Sequence, residues 1–272
     1  MNRLVVAPIS GLGNRMRVVA SLHRLLREKK LDAKVQIAWQ KANDFGATFD
    51  EIFERTAAFE NYQLSIINYQ LKYAPASKQN LLLPLLWRKA CGFKELRNFC
   101  AQGIDDLPRL SAMHSRLYVS TCYAFCDYAN ADLRQCFRPL PRLLERIDAM
   151  AMEFAPKTIG VHVRRGDNVE AGTHSPLALF EQRIDSLLDD GWERIFLATD
   201  SDDVRNHFAQ RYGDRLLTLR PNLQRSRREG IEDAVVDLYC LSRAGRILGS
   251  YYSSYSGAAA ELGDLELEII RK

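Results

Sequence analysis

The chain has 272 residues, of which 47% are hydrophobic and 26% charged, a composition typical of a globular protein. It excludes a disordered or collagen-like chain, and no apolar run approaches the roughly 20 residues that cross a bilayer. The net charge is +4, but the first 100 residues carry +8 and the other 172 carry −4. The basic first part would suit a phosphorylated ligand, an anionic membrane or a nucleic acid, although no nucleic-acid-binding motif accompanies it.

The N-terminal apolar stretch is too short for a secretory signal, so we expect a protein that acts in the cytoplasm. Six scattered cysteines then indicate reduced thiols rather than a disulfide framework. Cys122 and Cys126 have a spacing that could begin a metal site, but no second pair of ligands with matching spacing follows.

Strands and helices alternate in the first part of the sequence. We predict a strand at residues 3–8, a loop with two glycines, a helix whose apolar residues recur from residue 15, and a strand at 35–39. Residues 45–110 are less regular, with a short helix predicted at 49–53. A further strand is predicted at 117–122 and a helix at 140–154.

A second alternating stretch begins at residue 158. We predict strands at 158–163, 194–198, 215–219 and 246–249, and helices at 177–188, 202–212, 231–243 and from 257. Such alternation is typical of mostly parallel sheets with helices on both faces. The sequence therefore predicts an α/β protein with two Rossmann-like domains, residues 1–150 and 151–272, and a ligand at the carboxyl ends of the strands.

The first motif is Gly11-Leu12-Gly13-Asn14-Arg15, between a strand and a helix. Glycines let a ligand approach the backbone, and the N-terminus of a helix presents N–H groups to an anion. The motif lacks the third glycine of a dinucleotide-binding loop and the lysine of an NTPase phosphate loop. A tight turn without a ligand is the alternative interpretation.

The second motif is Gly-Val-His-Val-Arg-Arg-Gly-Asp at residues 160–167. His162 and Arg164 project to one face of a strand, and a guanidinium can form bidentate hydrogen bonds with a phosphate. Arg165 projects to the opposite face, where we expect a more structural role. Asp167 would orient one of the arginines or act on the substrate. A surface ion-pair cluster is the alternative.

The third motif ends a strand at Asp200 and continues into a helix through Ser201, Asp202 and Asp203. A carboxylate at this place suits contact with a nucleoside. Asp200 and Asp202 also form the D-x-D pattern with which many glycosyltransferases hold a divalent metal. Ordinary capping of the helix is the third interpretation.

The fourth motif is Ser-Tyr-Tyr-Ser-Ser-Tyr-Ser-Gly at residues 250–257, between a predicted strand and the last helix, and it includes Ser253, Ser254, Tyr255 and Ser256. Hydroxyls and backbone N–H groups at such a place again suit an anion. Four anion-binding loops that all follow strands form a stronger signal than any one of them.

In this order the four motifs resemble those of the fucosyltransferase superfamily, which contains the α-1,2- and α-1,6-fucosyltransferases, the nodulation-type enzymes and the protein O-fucosyltransferases. The H-x-R-R-x-D element at residues 162–167 is the most specific part, and residues 45–156 show no resemblance. The resemblance implies two facing Rossmann-like domains of GT-B-like type, GDP-fucose as the donor, inversion at the sugar and no metal cofactor. The N-terminal domain would lie on the acceptor side, and the C-terminal domain would bind the nucleotide sugar.

By position, the resemblance implies that Arg164 holds the β-phosphate, with Asn14 and residues 254–256 beside it, and that His162 and Asp200 contact the nucleoside. The family usually has Phe where this chain has Tyr255. Arg164 and Asp167 are the predicted catalytic residues, and Glu170 is a second candidate for a general base. The predicted substrate-binding residues are Gly11, Gly13, Asn14, Arg15, His162, Arg165, Asp200, Ser253, Ser254, Tyr255 and Ser256.

The leading hypothesis is transfer of fucose from GDP-fucose to a hydroxyl of a glycan or, less favoured, of a peptide. One alternative is a metal-dependent transferase of another sugar nucleotide that uses Asp200 and Asp202. Another is a non-catalytic protein that binds a GDP-sugar or a polyanion. Residues 81–89 place a tryptophan and two cations beside an apolar run, which would suit reversible contact with an anionic membrane or a lipid-linked acceptor. The alternative is that this run fills the core of the first domain.

Overall fold

The computed structural model describes residues 2–61, 64–70, 89–90, 92–98, 106–166 and 169–272. The chain divides into two compact units, the first formed by Met1–Leu140 with Gln224–Glu232 and the second by Pro141–Leu223 with Asp233–Lys272. This division differs from the predicted boundary at residue 150 in two ways. The helix predicted at 140–154 falls in the second unit, and a segment from the second half of the chain belongs to the first.

The first unit contains a parallel five-stranded sheet in the order β3-β2-β1-β5-β4. Its strands are β1 (Asn2–Pro8), β2 (Ala33–Lys41), β3 (Leu64–Gln70), β4 (Lys94–Asn98) and β5 (Arg116–Thr121). Its helices are α1 (Leu12–Arg27), α2 (Ala57–Asn61), α3 (Leu107–Met113) and α4 (Asn130–Cys136), with a 3₁₀ turn at Phe49–Glu51. Leu4, Val5 and Val6 of β1 are all buried, as expected for a central strand covered on both faces.

The second unit contains another parallel five-stranded sheet, in the order β10-β9-β6-β7-β8. Its strands are β6 (Thr158–Val163), β7 (Arg194–Thr199), β8 (Leu216–Thr218), β9 (Arg246–Ser250) and β10 (Leu267–Ile270). Its helices are α5 (Pro141–Ala151), α6 (Val169–His174), α7 (Leu177–Asp189), α8 (Asp202–Tyr212) and α10 (Ser254–Gly263), with a 3₁₀ turn at Gly213–Arg215. Helix α9 (Arg228–Leu241) begins in the first unit and ends in the second.

Strand β6 lies between β7 and β9, so the chain moves to one side of it and later to the other. The carboxyl end of such a strand is the topological switch point where open α/β sheets bind ligands. The same relation holds for β1, which lies between β2 and β5. Both sheets thus place the residues that follow their central strand where a ligand is expected.

The alternation of strands and helices predicted from the sequence is confirmed. Strand β6 and helix α8 have the predicted bounds, whereas α1 begins at Leu12, so that Gly13 and Asn14 belong to its first turn. The short helices α2, α3, α4 and α6 and the strand β10 were not predicted, and the short helix predicted at 49–53 is a 3₁₀ turn at Phe49–Glu51. No helix among the described residues is long and apolar enough to cross a membrane. Residues 81–88, the apolar run next to Lys89, lie outside the described residues.

Candidate functional site

The carboxylate of Asp200 joins the ends of β6 and β7. One of its oxygens, Oδ2, pairs with Nη1 of Arg164, and the other accepts the backbone N–H of Arg165 at 2.7 Å. The side chains of Arg164 and Asp200 are only 15% and 18% exposed. Because a partly buried ion pair is screened little by solvent, Asp200 fixes the direction of the Arg164 guanidinium.

Gly166 makes this pairing sterically possible. Its φ of +31° lies in the left-handed region, and an added Cβ would stand 2.5 Å from Oδ2 of Asp200. A side chain at this position would therefore strain the backbone and displace the carboxylate that holds Arg164.

The side chain of Arg165 forms hydrogen bonds with backbone carbonyls. Its Nη1 donates to the carbonyl of Arg164 at 2.9 Å, and its Nη2 donates to the carbonyl of Ser175 at 3.0 Å. Burial lowers the pKa of Arg165, and the charge of Asp200 partly opposes this shift. The predicted substrate-binding residue Arg165 thus ties the loop after β6 to the residue that follows α6.

Two buried hydroxyls connect the strand ends: Ser250 begins the fourth motif but was not among the predicted site residues, and Ser175 was not predicted. Ser250 Oγ accepts the backbone N–H of Arg164 at 2.9 Å and lies 3.2 Å from the carbonyl of His162, to which it donates. Ser175 Oγ accepts the N–H of Tyr251 at 2.8 Å and donates to the carbonyl of Ile270 at 2.6 Å. A polar residue that ends an apolar strand, as Ser250 does, was the signal available in the sequence.

His162 and Tyr255 form an aromatic pair beside these strand ends. Their ring centroids are 4.8 Å apart, and His162 is 5% exposed. The hydroxyl of Tyr255 donates to the carbonyl of Ala234 on α9 at 2.5 Å. The structure therefore brings together two residues that the sequence analysis had placed at the ligand.

The serines of the fourth motif have different environments. Ser253 precedes the first turn of α10, and it is half-buried like Ser254. Ser256 is fully buried, and an added Cβ on Gly249 would stand 2.5 Å from its Oγ. Ser256 thus packs against β9, whereas Ser253 and Ser254 remain partly accessible.

Asp237 is a buried carboxyl on α9 that the sequence analysis did not single out. It is 6% exposed, and its Oδ1 has no hydrogen-bond partner among the described residues. Burial raises the pKa of Asp237 to about 7, the charge of Asp233 adds to the shift, and Arg205 and Arg146 oppose it. In the sequence it looked like one more polar residue of a helix.

The D-x-D carboxylates are both engaged by arginines. Asp200 pairs with Arg164, and Oδ1 of Asp202 pairs with Nη1 of Arg205 one turn along α8. Ser201 caps that helix by accepting the N–H of Val204 at 3.3 Å. Within the described ranges no group of three metal-ligating side chains forms. These contacts favour arginine pairing and helix capping as the roles of the motif.

The glycine motif of the first unit is supported from inside by Arg15. The Arg15 side chain is fully buried, with Nε donating to the carbonyl of Ser10 at 2.9 Å and Nη1 to that of Gln40 at 2.8 Å. Its guanidinium also lies 3.8 Å from the centre of the Phe45 ring. Arg15, predicted to bind substrate, therefore shapes the loop and does not present its charge at the surface.

The outer side of the same loop is open. Ser10 has a φ of 72°, and Nδ2 of Asn14 donates to its Oγ at 3.0 Å. A Cβ on Gly11 would have no atom within 4 Å, so packing does not require glycine there. Gly13 is buried in the first turn of α1. Gly11 and Asn14 are thus the members of the motif that remain available to a ligand.

The predicted site residues fall into one cluster in each unit. Gly11, Gly13, Asn14 and Arg15 belong to the first, and the remaining described ones belong to the second. Asp167 lies outside the described residues. Glu170 is 62% exposed and lies 3.3 Å from Nε2 of His174.

No family model matches this sequence, and no curated protein does. Solved structures do match. The α-1,6-fucosyltransferase NodZ soaked with GDP-fucose is 19% identical, with a TM-score of 0.61 over 96% of this chain and 93% of that one. The Arabidopsis thaliana FUT1 mutant in complex with GDP is 16% identical, with a TM-score of 0.61 over 98% of this chain and 70% of the other. POFUT1 in complex with GDP-fucose is 14% identical, with a TM-score of 0.55 over 99% and 97%.

The similarity extends over nearly the whole chain, so it concerns both parallel-sheet units. At these identities it shows the fold, which is the α/β, GT-B-like fold of the fucosyltransferase structures. The predicted fold class is thereby confirmed.

Proposed function

We propose that this chain is an inverting glycosyltransferase that moves fucose from GDP-fucose to a hydroxyl of a glycan. The second unit would bind the donor, and the first would lie on the acceptor side. The observation that carries the proposal is Arg164, held by Asp200 at the carboxyl end of the central strand β6. The structures of similar fold that were solved with GDP or GDP-fucose support the choice of donor.

The chemistry follows from the charge of the leaving group. The bond between C1 of fucose and the β-phosphate oxygen breaks while the acceptor hydroxyl attacks C1, so negative charge develops on GDP. Arg164 is fixed by its ion pair and by the bond from its N–H to Ser250, so little reorganisation is needed to meet that charge. A guanidinium has five N–H donors, more than the Asp200 contact uses.

Asp200 acquires a role different from the one the sequence suggested. Its contacts with Arg164 and Arg165 support an orienting role for the carboxylate, next to the cation rather than at the nucleoside. His162 and Tyr255, whose tilted rings contact each other beside the same strand end, are the groups we propose for the nucleoside. The acceptor proton would go to Asp167 or Glu170 as general base.

Transfer assays separate this function from its alternatives. Radiolabelled GDP-fucose and an array of oligosaccharide acceptors would be incubated with the protein, with and without EDTA. We expect transfer that EDTA does not reduce. Transfer that EDTA abolishes and a divalent metal restores would favour the metal-dependent alternative. Binding of GDP without transfer to any acceptor would favour a non-catalytic protein.

We further propose that the protein acts in the cytoplasm and contacts an anionic membrane reversibly through residues 81–89. The sequence supports this by the tryptophan and cations that flank the apolar run. A lipid-linked acceptor would be reached at such a surface.

A further inference from the structure

Two consecutive tyrosines between β9 and α10 have different environments. Tyr251 is anchored, because its N–H donates to Ser175 Oγ at 2.8 Å and its ring lies 5.1 Å from that of His174. Tyr252 is 68% exposed and has a φ of +56°. The fold thus holds one ring in place and extends the next into solvent.

Burial and backbone preference both disfavour a tyrosine at position 252. A non-glycine side chain in the left-handed region is strained, and an exposed ring recovers none of that cost by burial. The loop is fixed by Ser250 and Ser256, which are both fully buried on either side of it. Strained residues that their surroundings hold in place are concentrated at ligand sites.

A chain of neighbouring side chains connects Tyr252 with polar groups on α6. The ring of Tyr251 lies 6.1 Å from that of Tyr252 and also packs on His174. On α6, His174 Nε2 lies 3.3 Å from Glu170 Oε2, and both side chains are largely exposed. We call these four residues, Glu170, His174, Tyr251 and Tyr252, the tyrosine platform. It combines two aromatic rings, tilted by 38° to each other, with an imidazole and a carboxylate that can bind hydroxyls.

We infer that the tyrosine platform binds the sugar ring of the acceptor, a contact from the donor-binding unit that adds to those proposed for the first unit. One face of a pyranose consists largely of C–H groups that can lie on an aromatic ring, while its hydroxyls need hydrogen-bonding partners such as Glu170 and His174. This inference rests on the proposed function. In the sequence, Tyr252 lies two residues after Ser250 and two before Ser254. Ser250 Oγ accepts a hydrogen bond from the backbone N–H of Arg164. The leaving group would bind beside that arginine, so the acceptor is the substrate that must come next to it.

The test uses three substitutions of Tyr252 in the full-length protein. Tyr252→Phe keeps the ring, Tyr252→Ala removes it, and Tyr252→Asn removes it while relaxing the left-handed backbone. Met152→Ala, at a side chain that is 85% exposed elsewhere in the unit, is the matched control. The readouts are retention on an array of immobilised oligosaccharides in the presence of GDP, the affinity for GDP by calorimetry, and the unfolding temperature.

We expect Tyr252→Ala and Tyr252→Asn to lose at least tenfold in oligosaccharide retention, with GDP affinity within threefold of wild type. Tyr252→Phe and Met152→Ala should retain oligosaccharides within threefold, and Tyr252→Asn should unfold no earlier than wild type. The inference is overturned if wild type binds GDP but retains no oligosaccharide, or if the ring-deleted variants retain it normally. If wild type does not bind GDP, the proposed function itself fails. The assignment of the platform to an acceptor then fails with it.

Discussion

Asp200 at the end of β7 holds the guanidinium of Arg164 at the end of the neighbouring strand β6. The two strands are parallel, with His162 opposite Ala198 and Val163 opposite Thr199, so the next residue on each strand is a member of the pair. The register of the sheet therefore determines where the cation lies. Any change that shifts this register by one residue would separate the two groups.

Arg164 is the residue on which the proposed chemistry depends most. We expect Arg164→Ala to reduce fucose transfer by about 10²–10³, because one preorganised charged donor is worth roughly 3–4 kcal/mol in the transition state. Arg164→Lys should also fail, since an ammonium cannot form the bidentate contact. Arg183→Ala, which breaks an ion pair with Glu268 in the same unit, is the control. Rates within threefold of wild type in either Arg164 variant would contradict the assignment.

Gly166→Ala tests the Asp200 contact without touching either charged residue. The new Cβ would meet the carboxylate at 2.5 Å on a backbone with a φ of +31°, so we expect at least a tenfold loss of transfer. The free energy of unfolding should fall by about 1 kcal/mol or more. Gly172→Ala is the control, because a Cβ there has no atom within 4 Å. Equal behaviour of the two variants in activity and urea unfolding would show that Gly166 does not protect the pair.

The second phosphate of the nucleotide should add substantially to affinity. Arg164 and the hydroxyl of Ser254 lie in the same unit and can both donate to a β-phosphate, so we expect GDP to bind at least tenfold more tightly than GMP, by calorimetry. Ser254→Ala, which removes a hydroxyl but no charge, should reduce this preference. Equal affinities for the two nucleotides would mean that these groups do not bind a β-phosphate.

Asp237 gives the stability of the protein a defined pH dependence. Its pKa is about 7 in the folded protein and near 3.8 when unfolded, so between these values the folded state holds a proton that the unfolded state has lost. Stability should therefore fall as pH rises from about 4 to 7, and the loss should be complete above that range. The gain in unfolding free energy on Asp237→Asn should grow from pH 4.5 to pH 8 in urea titrations.

Asp132 provides a control, because its pKa is shifted in the direction opposite to that of Asp237. Burial alone would raise its pKa, but hydrogen bonds from Arg27, the N–H of Ala129 and His23 outweigh burial and lower the pKa. The stability that its ionised form contributes is present above its unfolded value and is lost as pH falls. Asp132→Asn should therefore be most harmful at neutral pH. A pH-independent effect of the Asp237 substitution would contradict the raised pKa.

Membrane contact can be tested by co-sedimentation with anionic liposomes. If residues 81–89 lie on the bilayer, the protein should sediment at low salt and be released at high salt, because electrostatic attachment is screened. Arg88→Glu combined with Lys89→Glu should abolish sedimentation. Wild type that stays in the supernatant at low salt would indicate that the run is core and that the acceptor is soluble.

The sequence predicted the parts of the fold that local patterns determine. Strand β6 is a β-branched run followed by charged residues, and α8 has a serine cap and an acidic first turn. The bounds of both elements could therefore be predicted from the local sequence. Arg15 could not be understood in this way. Its burial depends on the carbonyl of Gln40 and the ring of Phe45, which lie 25 and 30 residues further along the chain.

Short elements were missed for the same physical reason. Helix α4 has seven residues, too few to be stable alone. Its Asp132 is buried against His23 and Arg27 from α1, a contact 105 or more residues away in sequence. The role of Asp200 depends likewise on Arg164, 36 residues earlier, whose nearness only the sheet reveals.

The segment Gln224–Glu232 belongs to the first unit although the chain has already passed through most of the second. The N–H of Gly46 donates to the carbonyl of Arg225 at 2.7 Å, and the backbone of Ser226 packs so closely that Gly46 has no room for a side chain. The two halves are therefore not exchangeable modules. A chimaera that joined the first 150 residues to a foreign second half would separate the N–H of Gly46 from the carbonyl of Arg225 to which it donates. Such a chimaera would leave the first unit without one of its own segments, so it should be less stable than the intact chain.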